Sequence, residues 1–175
     1  MGPISGAVAA YLVGCVPIAR LASRFVAGRP IEPWVAGLAD FIKGFAAVAL
    51  FAPVGSVGQA LTVTAVVAGD QWPAFGREVG RSGHWTFLGA MSVLTPMAPV
   101  IWAVLWAVGF VAGGYLSMGR LVAAAILPFV LGFTAGWPLG AIALPSCVMI
   151  LERGRDVVRR VRAGEEPKHY WNSAS

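Results

Sequence analysis

The stretch Val35–Ala52, VAGLADFIKGFAAVALFA, reads as a membrane-crossing helix with two charges inside it. Its length fits the roughly 20 apolar residues that a bilayer core demands. Asp40 and Lys43 interrupt it three residues apart, and that spacing puts both on one helical face. A charge at such depth must be paired or used. The pair is therefore either a structural tie between helices or part of a ligand site in a crevice open to the cytoplasm. Gly44 beside it would let a neighbouring backbone approach.

Outward from this stretch, further apolar runs recur: Ile4–Ile18, Val57–Ala68, one starting at Trp85, Val100–Gly113, and Leu121–Ile150 with a break near Gly136-Trp137-Pro138. Counting that break, the chain makes seven passes. The run from Trp85 stops at Thr95–Pro99 after about 15–20 Å of helix at 1.5 Å per residue, so it is a short or tilted span. Gly69-Asp70-Gln71-Trp72-Pro73 is where the third helix should stop, because proline cannot continue it.

Of the 13 Lys and Arg residues, all but Lys43 lie in gaps between runs or in the tail. The gaps at 20–34, 76–84 and 115–120 and the tail from Arg153 all fall on one side if each run crosses. The opposite loops carry no charge. Basic loops stay cytoplasmic, which puts the N-terminus outside and the C-terminus inside. A signal peptide over Met1–Ile18 would need a basic start and a polar mature sequence; neither is there, so this is a first span. The expected architecture is an all-α polytopic membrane helix bundle, with residues 1–152 as the transmembrane domain. Residues 153–175 form a cytoplasmic amphipathic basic helix and tail.

Composition agrees. The chain has 175 residues, 58% hydrophobic and 12% charged, about half the charge of a soluble domain. Trp34, Trp72, Trp85 and Trp137 fall at span ends, where indole rings favour the interface. Gly109 with Gly113, and Gly132, Gly136 and Gly140, recur every four residues and suit close helix packing. The net charge of +5 marks loop ends and the tail rather than one folded face, which argues against a nucleic-acid partner. Cys15 and Cys147 read as small core residues, so no disulfide framework or metal site is expected.

Two further segments could carry chemistry. Gly76–His84 offers backbone N–H groups, Arg77, Arg81 and Ser82, with Gly80 and Gly83, in front of a helix start. Those parts suit an anion such as phosphate, and they equally suit a solvated basic turn. Leu151–Arg162 has Val157, Val158 and Val161 on one face and basic residues elsewhere, as expected of a helix lying on an anionic leaflet. No Ser/His/Asp set, no phosphate-cradling G-x-x-x-x-G-K-[ST] loop and no H-x4-D acyltransferase motif is present; Gly89 stands five after His84.

Several stretches in order resemble one family, the bacterial acyl-phosphate:glycerol-3-phosphate acyltransferases, small seven-span enzymes that make lysophosphatidic acid. Gly14-Cys15-Val16-Pro17 is similar to its first-span G-S-x-P, and Asp40–Gly44 to its D-x-x-K-G. Gly69, Pro73, Phe75, Arg77, Gly80, Gly83, Thr86 and Gly89 fall at the spacing of its glycine-rich loop. Tyr115, Ser117 and Gly119 resemble its Y-x-S-L-G. Arg153-x-Arg155-Asp156-x-Val158-x-Arg160, then Gly164–Lys168, resembles its R-H-R-E-N-I-x-R and G-E-E-P-K. The series covers nearly the whole chain.

It also departs from the pattern. The G-S-G-N-x-G-A-T-N segment is missing between the first two spans. Asp70 stands for the loop His, Ser82 for the loop Lys, Gly154 for the tail His and Val157 for the tail Asn.

The resemblance implies a bacterial inner-membrane acyltransferase of phospholipid synthesis, without a cofactor. It would take an acyl phosphate or lipid and a small phosphorylated acceptor. Asp40 and Lys43 would order the site, and Asp156 would be the remaining base. Arg77, Gly80, Arg81, Ser82, Gly83 and Arg155 would hold phosphate. Anionic lipids would meet the basic tail, and a membrane-protein partner is compatible with this plan. The alternative is a non-catalytic family member that binds lipid or scaffolds or regulates another membrane protein.

Overall fold

The structure is a computed structural model that describes residues 2–18, 32–74 and 83–165. These residues form eight helices and no strand: α1 (Pro3–Gly14), α2 (Pro33–Phe51), α3 (Ser56–Gln71), α4 (His84–Leu94), α5 (Met97–Gly113), α6 (Leu116–Thr134), α7 (Trp137–Arg153) and α8 (Arg155–Ala163). Seven make up the bundle, and α8 is the short basic helix of the tail.

The packing runs α1 on α3, α3 on α7, α7 on α6 and α6 on α5, while α2 lies along α4. Helices α3 and α4 are the centre. Their buried residues include Val63, Val66 and Val67 on one and Phe87, Leu88 and Met91 on the other. Large apolar side chains such as Leu38, Val104, Val108, Phe129 and Phe133 face outward instead, while Asp40, Lys43 and Asp70 are buried. In water such an arrangement would leave a large apolar surface uncovered; a hydrocarbon solvent removes that conflict.

Glycine sets the tightest crossings. A Cβ on Gly44 would strike the Thr86 carbonyl of α4, and one on Gly89 would strike the Phe41 carbonyl of α2. Gly14 and Gly69 lock α1 against α3 in the same reciprocal way, through the Val66 and Tyr11 carbonyls. Such backbone-to-backbone contact is how helices associate where apolar burial supplies no drive. Of the glycines expected to pack, Gly132 and Gly140 do meet, and Gly109 meets Val122 and Gly119. Gly113 has only Met118, at 3.8 Å, and Gly136 is a turn residue with φ +102° between α6 and α7.

Two boundaries and the span lengths differ from the sequence expectation. Helix α3 runs on through Asp70 and Gln71 before Pro73 stops it, so Asp70 is a helical residue of the core face. Helix α6 starts at Leu116 and includes Arg120, inside the expected polar gap. Helices long and apolar enough for a full span number two among the described residues, Trp34–Phe51 and Leu116–Thr134. The other five bundle helices are shorter, down to 11 residues in α4. The four interfacial tryptophans, Trp34, Trp72, Trp85 and Trp137, are all exposed at or beside helix ends.

Candidate active site

One end of the bundle gathers the C-terminal ends of α1, α3 and α7 with the start of α4. The last carbonyls of a helix have no partner within it and carry partial negative charge. Here side chains take them up. Lys43 Nζ donates to the Gly14 carbonyl at 3.1 Å, and Tyr11 Oη to the Trp72 carbonyl at 2.9 Å. Arg153 Nη2 donates to the Gln71 carbonyl at 2.5 Å, and its guanidinium lies 5.2 Å over the Trp72 ring.

Lys43 is the hub. Its ammonium meets Asp70 Oδ1 at 2.5 Å and Asp40 Oδ1 at 3.3 Å. The ammonium thus donates hydrogen bonds to Asp70 and the Gly14 carbonyl and meets Asp40 as an ion pair. Lys43, Asp40 and Asp70 are all buried. The cluster thus fastens α1, α2 and α3 with one cation, and a charge held this way is a fixed electrostatic post rather than a mobile ligand arm. Extending α3 to Gln71 is what makes this possible, because the last helical turn aims Asp70 at Lys43.

Helix α4 opens beside this cluster. Gly83, its N-cap, takes φ +68°, a left-handed turn that glycine adopts without strain. A Cβ there would lie 2.7 Å from Gln71 Nε2, so the start of α4 abuts the end of α3. The first N–H groups of α4 form a positive helix end. Thr86 Oγ1, in the same first turn, is buried with no hydrogen-bond partner, and so is Arg153 Nε. Arg153, at the Gln71 carbonyl, and Gly83, against the Gln71 side chain, both meet the end of α3, which sets a guanidinium near a helix N-terminus: an arrangement suited to an oxyanion.

Of the residues singled out in the sequence, Asp40 and Lys43 come together here, and Gly83 lies against Gln71, next in the chain to Asp70. Arg77, Gly80, Arg81 and Ser82 lie outside the described residues. Asp156 and Arg155 are on α8. Asp156 is exposed, 3.7 Å from Arg159, and Arg155 pairs with Glu152 at 2.5 Å and lines a groove against α6. The cluster adds Asp70, Tyr11, Gln71, Trp72 and Arg153, which the sequence reading did not assign to the site. Arg153 carried a signal, as the first residue of the tail motif; Tyr11 and Gln71 carried none. Among the described residues no group of three His, Cys, Asp or Glu side chains could hold a metal ion.

Comparison with known proteins assigns this architecture. Residues 33–164 match the family model described as glycerol-3-phosphate acyltransferase. The chain belongs to the glycerol-3-phosphate acyltransferase family. It is 30% identical to glycerol-3-phosphate acyltransferase 2 of Moorella thermoacetica, over 92% of this chain and 94% of that one. It is also 30% identical to the glycerol-3-phosphate acyltransferase of Ralstonia pickettii, over 93% and 91%. In fold it resembles crystal structures of PlsY, an integral membrane glycerol 3-phosphate acyltransferase. The lysophosphatidic acid form superposes with a TM-score of 0.78 at 23% identity, covering 95% of this chain and 94% of that one. The glycerol 3-phosphate form gives 0.77 at 22% identity, with the same coverage.

Proposed function

We propose that this chain transfers a fatty acyl group from an acyl phosphate to glycerol 3-phosphate at the bundle end built around Lys43, on the cytoplasmic side of a bacterial inner membrane. The acceptor hydroxyl attacks the acyl carbonyl carbon, the carbon–oxygen bond to phosphate breaks, inorganic phosphate leaves, and Asp156 takes the hydroxyl proton. The product is lysophosphatidic acid.

The single observation that carries the reading is the convergence of Arg153, with its unpartnered Nε, and the α4 N-terminus beside a locked cation–carboxylate cluster. Both substrates are phosphate esters or anhydrides, and such a cradle would neutralise them. In this scheme Asp40, Lys43 and Asp70 position the three helices. Arg77, Gly80, Arg81, Ser82 and Gly83 supply the phosphate loop, and Arg153 supplies a further guanidinium. Arg155 is assigned to phosphate of a different kind, carried by lipid.

The test is lysophosphatidic acid formation by the purified chain from palmitoyl phosphate and glycerol 3-phosphate. Losing a partly buried phosphate-binding cation costs about 2–5 kcal/mol, so Arg153→Ala and Arg81→Ala should each lower kcat/KM at least about thirtyfold. Unaltered rates would reject the assigned roles. Asp156→Asn should lower kcat with little change in KM.

A second reading, a non-catalytic member that binds lipid or another membrane protein, draws support from the departures at the site. Asp70 stands where the family pattern has His and bonds Lys43 directly. Gly154 stands for a second His, and a Cβ there would run into Leu121. If acyl transfer is undetectable, and Asp40→Asn and Arg81→Ala still support growth where deletion does not, this reading replaces the first.

A further inference from the structure

Helix α8 turns one face inward through Val157 and presents another to a groove of about 580 Å³ between itself and α6. Leu121, Val122 and Ala125 of α6 form one wall, and Leu151 and Val158 the other. Arg155, Arg159 and Arg162, one helical turn apart, rim it. The groove is therefore amphipathic along its length: apolar along α6, cationic at the α8 end. Helix α6 packs on α5 and α7 rather than among α1–α3, so the groove is separate from the Lys43 cluster.

We propose that this groove binds one anionic membrane phospholipid, its headgroup phosphate held by Arg155, Arg159 and Arg162 and an acyl chain laid along α6. The charge pattern selects that occupant. A zwitterionic lipid brings its own cation to the arginines, and a soluble anion leaves the apolar wall uncovered. The arginines' present partners are weak competitors: Arg155–Glu152 and Arg159–Asp156 are exposed pairs, with the Arg159 side chain 83% accessible. The consequence reaches the candidate site through a short covalent path. Gly154 alone separates α8 from Arg153, and Gly154 sits against Leu121 of the groove wall. A lipid that seats α8 therefore also steadies the guanidinium over Trp72.

The experiment uses the full chain in phosphatidylcholine nanodiscs doped with phosphatidylglycerol, with retained lipid read by native mass spectrometry. This readout does not depend on acyl transfer, so its failure leaves the enzymatic reading untouched. The expected result is selective retention of one phosphatidylglycerol. A juxtamembrane arginine contributes roughly a fivefold factor in anionic-lipid affinity, so the double variant Arg159→Gln/Arg162→Gln should weaken retention on the order of twentyfold. Ala125→Trp, which fills the groove from an exposed position of α6 without altering charge, should abolish it. Equal retention of phosphatidylcholine would overturn the proposal. So would loss in the charge variant but not in Ala125→Trp, which signifies diffuse surface attraction, or stoichiometric displacement by palmitoyl phosphate, which makes the groove a substrate channel.

Discussion

Lys43 shows how much one side chain can hold when it is buried among opposite charges. Removing one member of a buried ion pair is strongly destabilising, by about 3–5 kcal/mol, because the remaining charge keeps its desolvation cost. Lys43→Ala takes the cation from between Asp40 and Asp70 and also strips the donor from the Gly14 carbonyl. It should lower the thermal unfolding midpoint in detergent by several degrees, as followed by size-exclusion after heating. Asp70→Asn keeps the shape and a hydrogen-bond acceptor, so its loss should be smaller, about 1–3 kcal/mol. If Asp70→Asn proves the more damaging change, Lys43 is not the hub. Arg153→Lys retains charge but loses the planar fork, and should recover only part of the activity lost in Arg153→Ala.

Among the helices, the α2–α4 crossing is the most demanding contact, because glycine lets one backbone rest on the other. Gly44→Ala and Gly89→Ala each place a methyl group against a carbonyl that cannot rotate away. Overpacking of this kind costs about 1–3 kcal/mol, and the two changes should be less than additive because they part the same two helices. Gly113→Ala is the control: its nearest foreign atom would lie at 3.8 Å, and the gain in helix propensity makes it neutral or slightly stabilising. Equal destabilisation at all three positions would mean that the crossings are not the constraint. Both close crossings of α2 and α3 frame the Lys43 cluster, so loss of packing there should also reduce lysophosphatidic acid formation.

For the whole molecule, the placement of arginine predicts an orientation. The groups gathered at one end of the bundle, Arg153, Gly83 and the α8 arginines, adjoin the basic gaps, while the α2–α3 loop at Val54 is uncharged and fully exposed. In intact cells Val54→Cys should react with a membrane-impermeant maleimide, whereas Glu165→Cys should react only after permeabilisation. The native Cys15 and Cys147 are buried and give a low background. Labelling of both engineered thiols from outside would separate the cationic end from the cytoplasm and remove the site from its substrates.

The bundle, its membrane-spanning character and the in-line pairing of Asp40 with Lys43 were legible in the sequence, because hydropathy, basic-residue placement and helical spacing are local properties of the chain. The resemblance also gave the family. What local patterns could not supply was which distant groups would meet. Gly69–Pro73 reads as a stop signal, yet the helix continues just far enough to deliver Asp70 to Lys43, a pairing made across 27 residues. Arg153 reaches the Gln71 carbonyl across 82. Those two contacts depend on α1, α3 and α7 ending side by side, and that alignment is fixed by glycine contacts between backbones. The sequence thus determined the solvent and the seven-helix plan of this protein, since apolar runs and their breaks are decided residue by residue; the composition of the site was decided only by tertiary packing, since it alone sets the distance between ends of different helices.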